Sequence, residues 1–222
     1  MTPTQLNDLP AGSFCARLPV LFLPPPPIAA LYVLPDTVYR RLDLDCWDIT
    51  RDARTYPGPG PVIAHPPCGH WGHFSHNCTL PGKDCGPIAV DQVRRFGGIL
   101  EHPRRSHLFT HCNCPNEPGQ FDLWGGQVLD VNQYDYGHHA KKPTRLYIVG
   151  LARPVLLPPP HFFERLAPRP LTTLSRRQRQ QTPLAFALAL RWMAWEIHRL
   201  NQVKEDTHDR SLAVAKKSCD PF

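Results

Sequence analysis

No stretch of this chain approaches the roughly 18 consecutive apolar residues that a membrane-spanning helix needs, so no membrane partner is expected. The apolar segment 18–23 is short, is cut off by four prolines at 24–27, and has only Arg17 close before it. It makes a poor export signal. Without such a signal the eight cysteines read as intracellular thiols or metal ligands, not as a disulfide framework, and the expected location is the cytoplasm. No two cysteines stand in C-x-x-C spacing, and no internal repeat is visible. The 27 prolines, clustered at 24–27, 57–61 and 158–160, exclude a long helical bundle, because proline removes a donor and fixes φ.

What the chain does have is enough length for one sizeable core, with 222 residues. A single α/β domain is expected over residues 29–200, between a poorly ordered proline-rich extension at 1–28 and a charged, flexible tail at 201–222. The formal net charge of +6 favours a polyanion, and nucleic acid ahead of a membrane or an acidic protein. No protein partner is indicated.

Residues 28–34 form an apolar run that reads as a buried strand, followed by a turn or short helix over 35–42. A second short strand is expected at 46–49 and a third at 61–64. Residues 86–96 carry Ile88, Ala89, Val93 and Phe96 near helical spacing, with Pro87 suited to an early position. Gly97-Gly98 ends that helix and opens a strand running to Glu101. Strand, helix and strand make a parallel crossover unit. Residues 104–127 read as irregular and 145–150 as a strand. Thr182 and Pro183 then start the clearest helix, extending to about residue 200, with an apolar face that covers the sheet.

The most informative stretch is residues 64–75, where Cys68 follows Pro66 and Pro67 at the carboxyl end of the third strand. Prolines force an extended exit there, and open α/β sheets place their ligands at that edge. A thiolate is a strong nucleophile, although most free cysteines are simply small buried apolar residues. Glu101 ends the next strand and suits general acid work or a hydrogen bond to a base edge; its bland reading is a cap or a salt bridge. Arg145, with Lys141 and Lys142, suits a carbonyl or phosphate oxygen, or merely solvates a strand entry. Histidine and cysteine are dense from residue 65 to 114, so Cys78, Cys85, Cys112 and Cys114 are candidate ligands of a structural zinc.

Pro67-Cys68, then Glu101, then Asp135-Tyr136-Gly137 with Arg145 and the apolar strand to Gly150, follow one another in a familiar order. It is the order of the Pro-Cys, Glu-Asn-Val and Gln-x-Arg-x-Arg motifs of the cytosine-5 DNA methyltransferases. Over residues 30–200 the chain resembles a shortened member of that family, of the form common in bacteriophages. Residues 31–36, 51–54 and 179–187 resemble those phage proteins as well.

The resemblance implies a Rossmann-like, mostly parallel sheet flanked by helices, in one compact domain lacking a target-recognition domain. It also implies S-adenosylmethionine as cofactor, DNA as partner and a bacterial host cytoplasm. Cys68 would add to a flipped cytosine, Glu101 would hold or protonate its N3 and amino edge, and Arg145 would support the base. Asp48 would bind the cofactor ribose and Asp52 its adenine amino group, unless both cap turns, with Pro66 and Pro67 beside the cofactor. Ser75, Lys141 and Lys142 would contact DNA.

Three features depart from the family. His102-Pro103 replaces Asn-Val, and residues 138–141 replace Val-Pro-Gln. Residues 34–37 contain no glycine where the family's Phe-x-Gly-x-Gly loop follows the first strand. Two alternatives follow: a methyltransferase fold without its cofactor that acts as a nucleic-acid-binding module, or a Cys/His zinc-binding phage protein acting on nucleotides.

Overall fold

The computed structural model describes residues 28–72, 75–152 and 167–218. The proline-rich extension therefore lies outside the described residues except for Ile28, as do the 158–160 proline cluster and residues 219–222.

Six strands form one sheet: β1 (Ala29–Leu31), β2 (Asp45–Trp47), β3 (Val62–Ala64), β4 (Gly98–Pro103), β5 (Gln127–Asn132) and β6 (Pro143–Val149). Their order is β2-β1-β3-β4-β6-β5. The pairings among β2, β1, β3 and β4 are parallel, and β6 runs antiparallel to both β4 and β5. The α/β class is as expected from sequence, but the reversal of β6 makes the sheet mixed.

Burial explains why β1 and β3 read as unbroken apolar runs: every residue of both is buried, with layers on each face. On one face lies α1 (Cys85–Phe96), whose Ala89, Val90 and Val93 pack with Val62, Ala64 and Leu100. On the other, after the short α2 (Leu108–His111) and α3 (Arg176–Gln180), lies α4 (Leu184–Ser218), which buries Phe186, Leu190, Met193 and Ile197 against Ile63, Ile99, Leu146 and Ile148. Their spacing of three and four residues is the helical period, and each such side chain contributes about 1.5–3 kcal/mol when fully buried.

Residues 201–218, expected as a charged tail, continue α4. β5 arises where no strand was expected. No helix among the described residues is long and apolar enough to cross a membrane.

Two features position the site. The chain leaves β1 for β2 on one side and returns to β3 on the other, so the crevice between the carboxyl ends of β1 and β3 is a topological switch point. The second feature is Gly98, at φ +129°, where an added Cβ would stand 2.0 Å from the Val62 carbonyl oxygen. Only glycine allows β4 to approach β3 this closely. Alternation along β4 then turns Glu101 toward the α4 face and His102 toward the α1 face.

Candidate functional site

The amide of His65 donates to the Leu31 carbonyl at 3.0 Å and carries the β1–β3 pairing one residue further. Pro66 and Pro67 have no N–H with which to continue it, so the chain leaves the sheet there. The Cys68 carbonyl then accepts the amides of Trp71 at 3.1 Å and Gly72 at 2.9 Å, which closes a tight turn. Trp71 is buried and its indole donates to the Lys83 carbonyl at 3.2 Å, anchoring that turn. Pro66 is buried, whereas Pro67 and Cys68 are exposed at the carboxyl edge of the sheet.

One strand over, Glu101 is held at both oxygens. His65 Nδ1 lies 3.0 Å from Oε2, and Gln133 Nε2 donates to Oε1 at 2.8 Å. His65 Nε2 stands 2.9 Å from the hydroxyl of the buried Tyr39, and Gln133 also reaches Thr144 Oγ1 at 3.0 Å. Burial pushes the Glu101 pKa up, but the charge of Lys142, the His65 hydrogen bond and the charges of His65 and His102 outweigh it and bring it down to about 2. Glu101 is therefore a carboxylate at neutral pH, able to accept a hydrogen bond from a ligand but not to supply a proton. That favours the holding half of its expected role.

The Cys68 thiol is pushed up by crowding around the sulfur and by the Glu101 charge, while Lys142 opposes the shift. Lys142 is half-buried, and its charge acts on both Cys68 and Glu101. Its backbone is fixed by Asn132 Oδ1, which accepts its amide at 2.9 Å. Lys141 is exposed. Ser75 opens a single 3-10 turn, Ser75–Asn77, held by its amide on the Gly72 carbonyl at 3.0 Å.

The structure does not bring Arg145 to Glu101. Arg145 faces His102 in the β4–β6 register, and so points to the α1 face, where its guanidinium lies 5.8 Å from the Phe109 ring. There it grips Asp130 with two bonds of 2.7 and 2.9 Å and donates to the Asn116 carbonyl at 2.9 Å. His102 is fully buried on the same face. Neither of its ring nitrogens meets hydrogen-bond geometry, although the Pro67 carbonyl is near enough to favour the charged ring weakly. Burial dominates and pushes His102 down to about 4.

Comparison with family models, with curated proteins and with solved structures finds no match to this chain.

The groups assigned to S-adenosylmethionine do not fit it in this arrangement. Asp48, buried just after β2, accepts the amides of Thr50 at 2.9 Å and Arg51 at 3.3 Å, and its other oxygen pairs with Arg40 at 3.0 Å. Asp52 caps the turn at Ala53–Thr55 and pairs with Arg54 at 2.8 Å. The loop after β1 has Tyr32 at φ 59° where a glycine would let a ligand approach the backbone, and its hydroxyl donates to Gln92 at 2.8 Å.

The four cysteines assigned to zinc are likewise not assembled. Cys78 packs against Gly69, Cys85 lies near Gly82, and Cys112 and Cys114 lie beside Arg94. Among the described residues no three His, Cys, Asp or Glu side chains could share a metal ion.

His65, Gln133, Tyr39 and Thr144 were missed from sequence. His65 stands in the same stretch as Cys68 but registers only as part of the histidine and cysteine density. Gln133 precedes Asp135-Tyr136-Gly137 and becomes informative only once β5 delivers it to the end of β4.

Proposed function

We propose that the chain is a cytosine-5 DNA methyltransferase-like enzyme on a Rossmann-like sheet. In this reading Cys68 adds to a cytosine flipped out of DNA, and Glu101 holds the amino edge of the base. The observation that carries it is the delivery of an exposed cysteine and an ionised, doubly held glutamate from the carboxyl ends of adjacent parallel strands. The run of four parallel strands and the switch point beside Cys68 support the Rossmann-like part.

The chemistry of these residues balances without a further group. The Cys68 thiol loses its proton to solvent as the base binds, with Lys142 stabilising the thiolate. The sulfur forms a bond to carbon 6, and the electron pair of the 5,6 double bond takes a solvent proton at carbon 5. Loss of the original carbon-5 proton returns the pair, the carbon–sulfur bond breaks, and the base is released with its carbon-5 hydrogen exchanged. Throughout, both Glu101 oxygens keep a free lone pair for the amino N–H of the base. Extracting the base costs a few kcal/mol.

S-adenosylmethionine, the donor in this reading, supplies an electrophilic methyl group. Since Asp48 and Asp52 are filled by internal partners, no step is assigned through it. The same observation favours a second reading, a nucleic-acid-binding module of this fold without the cofactor.

The deciding experiment follows loss of deuterium from carbon 5 of cytosine in DNA, with methyl acceptance from labelled S-adenosylmethionine measured in parallel. Exchange that disappears in Cys68→Ser supports the base chemistry. Its absence in folded protein that binds DNA overturns it and leaves the binding module. Exchange without methyl acceptance retains Cys68 and Glu101 but removes the methyl donor.

A further inference from the structure

Residues 167–181 are fastened to the same sheet edge as Cys68. The Arg169 amide donates to the His139 carbonyl at 2.9 Å, and Arg177 forms an ion pair with Asp36 in the loop after β1. Leu174 is buried. A short helix, α3 (Arg176–Gln180), follows and is locked by a capping box, in which Gln178 N donates to Ser175 Oγ at 3.2 Å and Ser175 N donates to Gln178 Oε1 at 2.9 Å. The segment is thus held at both ends of the edge.

Its outward side is cationic. Arg169, Arg176, Arg177 and Arg179 are exposed, and only Arg177 has a carboxylate partner among the described residues. Three carboxylates of this edge are already engaged, Asp36 by Arg177, Glu101 by His65 and Gln133, and Asp130 by Arg145 and Arg104. Between Lys141 and Arg169 lies an open hollow of about 370 Å³, walled by Pro168 and Pro170. Two cations line the hollow and further exposed guanidinium groups follow along the same segment, so the edge offers several phosphate contacts in a row, as a polyanion needs and a single small anion does not.

We propose that residues 167–181 form a phosphate-binding rail for DNA, with Arg169, Arg176 and Arg179 contacting the backbone beside the base held at Cys68. The proposal rests on the cytosine-directed reading above. Phosphate contacts fix register but carry no base information, so the rail positions DNA with little sequence preference.

The test is the salt dependence of binding to a labelled duplex of about 20 base pairs, in which each lost phosphate contact lowers the log–log slope by about 0.9. The full chain is compared with Arg169→Gln/Arg176→Gln/Arg179→Gln and with Arg191→Gln, which lines a separate hollow on α4 beside Ile28 and Leu44 at the opposite edge of the sheet, as control. The triple variant should lose about 2–3 from the slope and bind at least tenfold more weakly at low salt, with the control unchanged. An unchanged slope in the triple variant, no duplex binding by the native chain, or tighter binding to an RNA hairpin than to the duplex each overturns the rail. Deuterium exchange is measured on the same proteins. A lowered slope without exchange keeps the rail and removes the base chemistry; exchange with an unchanged slope does the reverse.

Discussion

His65 links two strand ends through one ring: its Nδ1 lies 3.0 Å from Glu101 Oε2 and its Nε2 lies 2.9 Å from the Tyr39 hydroxyl. An ionised carboxylate only accepts, so Nδ1 carries the proton of that bond. Replacing His65 by Leu removes one of the groups that hold Glu101 near 2, and the carboxyl pKa moves back toward its ordinary 4.5. The acidic limb of the exchange rate should shift upward in pH; Glu101 stays ionised at neutral pH, so the loss of about 10- to 100-fold expected there comes from its lost orientation. A pH–rate profile decides, and an acidic limb that does not move contradicts a positioning role for His65.

Cys68 is exposed on a turn closed by backbone hydrogen bonds, so its removal should leave the fold intact. Cys68→Ser is expected to abolish exchange while changing stability by less than about 0.5 kcal/mol. Lys142→Gln removes the cation that opposes the upward shift of the thiol. Alkylation of Cys68 by iodoacetamide, followed by peptide mass spectrometry, should then need a higher pH, and Lys142→Arg should restore the native profile.

Much of the parallel half of the sheet was legible because its strands are unbroken apolar runs bounded by proline or glycine. β3 ends before Pro66-Pro67, and β4 opens at Gly97-Gly98 after α1. β5 was not legible. Gln127, Asp130 and Asn132 interrupt its apolar residues, and as an edge strand it buries neither face completely. Missing β5 hid Gln133. It also hid the pairing of Asp130 with Arg145, which turns the arginine away from Glu101. Cys68 and Glu101 were readable as strand-end residues; the side chains that hold Glu101 depend on tertiary neighbours 32 and 36 positions distant.

Arg145 should therefore behave as a structural residue. Its two-bond grip on Asp130 is largely shielded, with the two side chains 13% and 18% exposed. Arg145→Ala leaves Asp130 with only the exposed Arg104, and is expected to cost about 1–3 kcal/mol. Denaturant unfolding should show that loss, with the exchange rate per folded molecule changed less than tenfold. A rate loss of a thousandfold without destabilisation would return Arg145 to the site.

His102 sets how the fold responds to acid. Burial lowers its pKa from 6.5 to about 4, so between those values the unfolded chain binds the proton that the folded chain refuses. Its contribution to stability is complete above pH 6.5 and is lost as pH falls toward 4. The loss is on the order of 3 kcal/mol. Glu101 continues the trend lower down: its folded value of about 2 lies below the ordinary 4.5, so its contribution disappears between those two values. Urea midpoints measured against pH should therefore decline from just below 6.5. His102→Leu should flatten the upper part of that decline, leaving a residual slope from His138, which burial also pushes down. At pH 7 the same variant should be no less stable than the native chain, because two unpartnered ring nitrogens are replaced by apolar surface of similar size. A His102→Leu protein with the native pH slope would place the acid sensitivity elsewhere.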